Sequence, residues 1–127
     1  MKVLVIEDDP QGRRLLIRVL ERAGCDVVAV ENGLAAFGEV RTSKPAAILC
    51  DICLPYMGGR TFYGELVAEY PDLAKQVIFL TGAPEPDVVQ LSEQSGCPLL
   101  IKPYDVEDLV ATVRRVGQRK PGEVAAA

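Results

Sequence analysis

The chain has 127 residues, a formal net charge of −4, and 49% hydrophobic and 25% charged residues. That profile suits one domain with a real apolar core, and its acidic balance argues against a protein that coats nucleic acid. There is no histidine, which removes Ser-His and Cys-His catalysis and most catalytic zinc sites.

Lys2 to Ile6 is a β-branched run and is predicted as the first strand. Met1-Lys2 leads straight into it rather than into a secretory leader, and no apolar stretch is long enough to span a bilayer. A cytoplasmic location without membrane insertion is therefore expected. After Glu7-Asp8-Asp9, Pro10 suits the first turn of a helix with Asp9 as its N-cap. Leu15, Leu16, Val19, Leu20 and Ala23 recur at helical spacing until Gly24 closes the helix. Asp26 to Val30 reads as a second strand, and Asn32-Gly33 opens a helix through Leu34, Ala35, Phe37 and Val40.

Ala46 to Cys50 is wholly apolar, as expected of a strand covered on both faces, and it runs out into Asp51. Pro55 stops the ladder and Gly58-Gly59 opens a turn. A helix is predicted over Gly59 to Tyr70, with Phe62, Leu66 and Val67 on its buried face, stopped by Pro71. Gln76 to Leu80 is the fourth strand, ending in Thr81; Pro86 to Ser95 is a helix closed by Gly96. Leu99 to Ile101 is the fifth strand, ending in Lys102-Pro103. Asp105 caps a last helix carrying Val106, Leu109, Val110 and Val113. One domain over 1–116 is expected, with 117–127 a flexible tail.

Cys50 and Cys53 form a C-x-x-C, but the first closes a strand instead of opening a helix, and side chains three apart on a strand point opposite ways. Small apolar residues is the better reading for most of the four cysteines.

Strands and helices alternate five times with short connections, the signature of a parallel sheet with right-handed crossovers. In such sheets ligands bind beyond the carboxyl ends of the strands. Those ends carry Glu7, Asp8, Asp51, Thr81 and Lys102. With a strand order of 2-1-3-4-5, the first and third strands are neighbours and three carboxylates share one crevice. Two unit charges about 6 Å apart repel by roughly 3 kcal/mol at an effective dielectric of about 20. A hard divalent cation with oxygen ligands, Mg²⁺, would relieve that repulsion. Asp9 is read as a helix cap rather than a ligand.

Four motifs stand in order: Val-Ile-Glu-Asp-Asp-Pro at 5–10, Asp-x-x-x-Pro-x-Met-x-Gly at 51–59, Phe-Leu-Thr-Gly at 79–82 and Lys-Pro at 102–103. Over residues 2–116 the chain resembles the receiver domains of two-component response regulators, chemotaxis-regulator-like, whether stand-alone or from a hybrid sensor kinase. The resemblance implies a doubly wound (βα)5, flavodoxin-like α/β fold and Asp51 as the phosphoacceptor. It implies Asp8 and Asp51 as direct Mg²⁺ ligands, joined by the Cys53 backbone carbonyl, with Glu7 acting through water. Thr81 and Lys102 would hold phosphoryl oxygens, and the Lys102-Pro103 bond would be cis. The implied partners are a histidine kinase or phosphotransfer protein and a downstream effector, with a weak homodimer allowed. The implied role is a signalling domain, not an enzyme beyond its own phosphorylation and dephosphorylation. No DNA-binding module follows, so no direct nucleic-acid role is expected.

The chain departs from the family pattern at Leu99, where an aromatic is usual, and at Gly58, where an Asp is common. Cys53 and Ala83 occupy the two positions that tune phosphoryl lifetime in the family. Neither orients a water well, so slow self-dephosphorylation is expected. Two rival readings are a degenerate receiver that only binds partners and a Mg²⁺-dependent phosphohydrolase with an aspartyl nucleophile. The latter needs a second Asp two residues after the nucleophile, where this chain has Cys53.

Overall fold

Strand β1 (Lys2–Ile6) forms the frame on which the other strands are laid, pairing in parallel with β2 (Asp26–Val30) on one side and β3 (Ala47–Asp51) on the other. Strands β4 (Val77–Thr81) and β5 (Leu99–Ile101) extend the sheet beyond β3. The order is β2-β1-β3-β4-β5, all parallel. This computed structural model describes residues 1–54 and 57–119. The expectation at Pro55 and the part of the expected tail beyond 119 lie outside the described residues.

Period-two alternation splits the strands between two apolar layers. Leu4, Ile6, Ile48, Cys50, Val77 and Phe79 face one layer, which is closed by α2 (Gly33–Ser43) and α3 (Gly59–Glu69) through Ala36, Val40, Phe62 and Leu66. Val3, Val5, Leu49, Ile78 and Leu80 face the other, closed by α1 (Pro10–Arg22) and α6 (Val106–Gly117) through Leu16, Leu20, Leu109 and Val113. A single turn, α4 (Pro71–Ala74), and α5 (Pro86–Ser95) complete the helices among the described residues.

The caps follow the local chemistry. Gly12 N donates to Asp9 Oδ2 at 3.0 Å, and Ala35 N donates to Asn32 Oδ1 at 2.9 Å. Glu107 N likewise donates to Asp105 Oδ1 at 2.9 Å.

Several expectations need correction. β3 and β4 each sit one residue later than the apolar runs indicate, because the ladder continues past them: Ile52 N donates to Leu80 O at 3.0 Å, and Lys102 N donates to Thr81 O at 2.7 Å. Asp51 and Thr81 are thus strand residues. Val67 is exposed, since the stripe set by Phe62 and Leu66 leaves it one step round the helix. Leu15 is exposed for the same reason; Val106 lies in line with Leu109 and Val113 but is exposed as the first residue of α6. Pro71 does not merely end a helix; it starts α4, where the missing N–H of a first-turn proline costs nothing. The last helix runs through Gly117, the first residue of the expected tail.

Candidate functional site

The ends of β1, β3 and β5 converge because of strand parity. Glu7 continues the alternation of Val3 and Val5, Asp51 that of Ala47 and Leu49, and Lys102 that of Leu100, so all three fall on the α1/α6 side of the sheet. Ile6 is paired with Cys50, which puts Glu7 and Asp51 side by side. Glu7 is still tied to the sheet, its N–H donating to Val30 O at 3.1 Å. Lys102 leaves β5 two strands from Asp51, a span of about 10 Å that its four-carbon stem bridges.

Lys102 Nζ lies 2.7 Å from Glu7 Oε1 and 2.7 Å from Asp51 Oδ2, donating to both. The other Asp51 oxygen, Oδ1, accepts from Cys53 N at 2.9 Å. Glu7 and Asp51 are buried at 2% and 6% exposure, whereas Asp8 is exposed. Carboxylate oxygens of Glu7, Asp8 and Asp51 all lie within 4.8 Å of one another.

Burial of Glu7 raises its pKa to about 7; the Lys102 hydrogen bond opposes this and Asp51 adds to it. Burial works against the Lys102 charge, but the hydrogen bonds to Asp51 and Glu7 outweigh it and hold the ammonium above its usual range. One lysine therefore partly neutralises three acids, and among the described residues Glu7 Oε2 is left buried without a hydrogen-bond partner. That orphaned oxygen, in an all-oxygen donor set, fits a hard divalent cation of the Mg²⁺ kind.

Thr81 has the opposite parity, with Phe79 and Val77, and is not gathered into the acid–lysine cluster. It is 2% exposed, and its hydroxyl donates to Ala83 O at 3.0 Å and accepts from Ala83 N at 3.1 Å. Cys53 reaches Asp51 through its N–H, with its side chain exposed, while Cys50 is buried in the sheet; all four thiols are free. The Lys102-Pro103 peptide is cis, as the resemblance implied. Leu99 is partly buried, paired with Phe79.

Two contributors escaped the sequence reading. Arg13 Nη1 donates to Glu7 O at 2.9 Å and to Asp8 O at 3.4 Å, pinning the loop that carries both acids. Its signal is a basic residue one helical turn after the Asp9 cap. Gly12 stands against the cluster: a Cβ there would lie 3.1 Å from Glu7 Oε1.

A family model described as the response regulator receiver domain matches residues 3–114. The chain is 31% identical over 119 residues to the response regulator receiver protein CpdR of Brucella abortus, covering 91% of this chain and 95% of that one. It is 31% identical over 116 residues to the protein PilH of Pseudomonas aeruginosa, at 91% and 96% coverage. Against the DNA-binding response regulator MtrA of Mycolicibacterium smegmatis it is 32% identical over 125 residues, but spans only 54% of that protein. Among solved structures, the signal receiver domain of a signal transduction histidine kinase from Syntrophus aciditrophicus superposes with a TM-score of 0.81 at 28% identity, covering 99% of this chain and 98% of that one.

Proposed function

The chain belongs to the response regulator receiver family, and we propose that it is a working phosphoacceptor whose Asp51 takes a phosphoryl group in a Mg²⁺-dependent step. The observation that carries this reading is the buried, under-neutralised oxygen cluster: Lys102 shared between Glu7 and Asp51 at 2.7 Å, with Glu7 Oε2 unpartnered.

Asp8 and Asp51 would hold the cation directly with the Cys53 carbonyl, and Glu7 through water; bound there, Mg²⁺ supplies charge neutralisation of the phosphoryl oxygens. Asp51 attacks phosphorus with one carboxylate oxygen. The bond from phosphorus to the donor, a kinase histidine nitrogen or the acyl oxygen of a small phosphodonor, breaks as the new O–P bond forms, and its electron pair leaves with the donor. Such transfer needs position and positive charge more than covalent help. Lys102 gives up an acid oxygen and takes a phosphoryl oxygen in its place. Thr81 releases Ala83 O and turns its hydroxyl toward the phosphoryl group, which biases the β4–α5 loop between two arrangements. Partners are a histidine kinase or phosphotransfer protein and a downstream effector, in the cytoplasm.

The test is intact mass after incubation with acetyl phosphate and Mg²⁺. One added phosphoryl group is expected, absent in Asp51→Asn and with chelator. Leu99, in place of the family's usual aromatic, favours a second reading, a receiver that signals by binding alone. An unmodified, folded protein would select it.

A further inference from the structure

Arg13 sits in the first turn of α1, where its own N–H donates to Asp9 O at 2.9 Å. Helical side chains lean toward the N-terminus of their helix. The guanidinium therefore lies back over the loop that links β1 to α1. There Nη1 donates to Glu7 O at 2.9 Å and, more weakly, to Asp8 O at 3.4 Å. Both of those residues carry a carboxylate, yet among the described residues Arg13 forms no ion pair.

The choice of acceptors matters. A guanidinium set on the carboxylates would occupy the oxygens that a cation needs. Set on the carbonyls, it fixes the backbone of Glu7 and Asp8 and leaves their carboxylates to others. Neutralisation falls to Lys102 instead. Asp8 is exposed and forms no ion pair among the described residues, so the backbone beneath it decides whether its carboxylate meets those of Glu7 and Asp51.

We propose that Arg13 is a positioning residue for the cation: by holding the Glu7 and Asp8 carbonyls, it keeps Asp8 in the arrangement that Mg²⁺ binds. The inference rests on the phosphoacceptor reading above, which supplies the cation. A loop in that arrangement for only about a fifth of the time binds about fivefold more weakly. Charge alone predicts the opposite sign, since Arg13 repels Mg²⁺ and its removal would tighten binding.

The experiment is an amide chemical-shift titration of the full chain with Mg²⁺, in the parent, Arg13→Met and Arg13→Lys. Methionine keeps an unbranched stem and a similar helix propensity but has no donor. The Mg²⁺ dissociation constant, read from shifts at Asp51 and Lys102, should rise about fivefold in Arg13→Met and less in Arg13→Lys, which keeps a donor. In the metal-free protein, amide order parameters at Asp8 and Asp9 should fall in Arg13→Met, while those of β1 stay unchanged. Urea melts with chelator should show both variants folded under the titration conditions. An unchanged or tighter dissociation constant in folded Arg13→Met would overturn the proposal. So would unchanged order parameters at Asp8 and Asp9. No saturable Mg²⁺ shift in the parent would instead overturn the phosphoacceptor reading, and this inference with it.

Discussion

Glu7 has one oxygen on Lys102 and the other without a partner among the described residues, and burial raises its pKa to about 7. The folded protein holds that proton more tightly than the unfolded chain. The stabilising contribution is therefore full below about 4.5, the ordinary carboxylate value, and is lost as pH rises through about 7. Without Mg²⁺, unfolding free energy from urea melts should carry a falling component across that window, on the order of 1–3 kcal/mol. Glu7→Gln should remove it; parallel curves for the two proteins would mean Glu7 titrates as an ordinary acid. A second expectation concerns lifetime. Cys53 and Ala83 offer no side chain to orient an attacking water, so the aspartyl phosphate should hydrolyse slowly, and a half-life of seconds in Mg²⁺ would contradict this. That Glu7, Asp8, Asp51 and Lys102 gather at one end of the sheet was legible, because acids and a lysine at strand ends stand out against apolar runs. The sharing of Lys102 and the orphaned Glu7 oxygen were not, since both depend on where side chains settle once three separate strands are packed.

Among the elements, α1 separates capping from ligation. Asp9 Oδ2 takes the Gly12 N–H, while Asp8 offers its carboxylate to the cluster. Asp9→Ala should cost about 1 kcal/mol of stability and leave Mg²⁺ affinity nearly unchanged. Asp8→Ala should do the reverse, read by calorimetric titration and urea melts together. The start of α3 is equally exacting: a Cβ at Gly59 would lie 2.6 Å from Asp51 O and 2.9 Å from Ile52 Cα. Gly59→Ala should therefore destabilise by about 1–3 kcal/mol and slow transfer to Asp51, whose backbone must shift. Alternation and helical spacing revealed every strand and the five longer helices. They did not reveal α4, whose four residues are too few to show a period, nor the exposure of Leu15 and Val67, whose apolar character fits the stripe better than their angle on the helix.

For the whole molecule, the strand order is what makes the site. Alternating strands and helices gave a parallel sheet from residues alone; the order 2-1-3-4-5 could only be supposed, because crossover length does not say which neighbour a strand chooses. That order puts β1 against β3 and so joins Glu7 to Asp51. Mg²⁺ at a hundredfold excess over its Kd should stabilise the protein by about 2.7 kcal/mol, visible as a raised Tm. Repulsion among three acids would by itself lead Asp51→Asn to stabilise the metal-free protein. Lys102 changes that expectation, since it already compensates Asp51. The variant should stay within about 1 kcal/mol of the parent and lose the Mg²⁺-dependent rise in Tm; a rise equal to the parent's would place the cation elsewhere.

Lys102 directly follows β5, at one margin of the sheet, while its acids sit at the ends of the interior strands β1 and β3. Its side chain is in effect a guy-rope running over β4 from the margin to the centre. If Asp51 gains a phosphoryl group as proposed, the rope's anchor point would move, and the segment pulling on it would be Ile101 to Tyr104, where Ile101 faces solvent. Chemistry at a buried aspartate would thereby become tension on an outward-facing edge, where the proposed effector would read it.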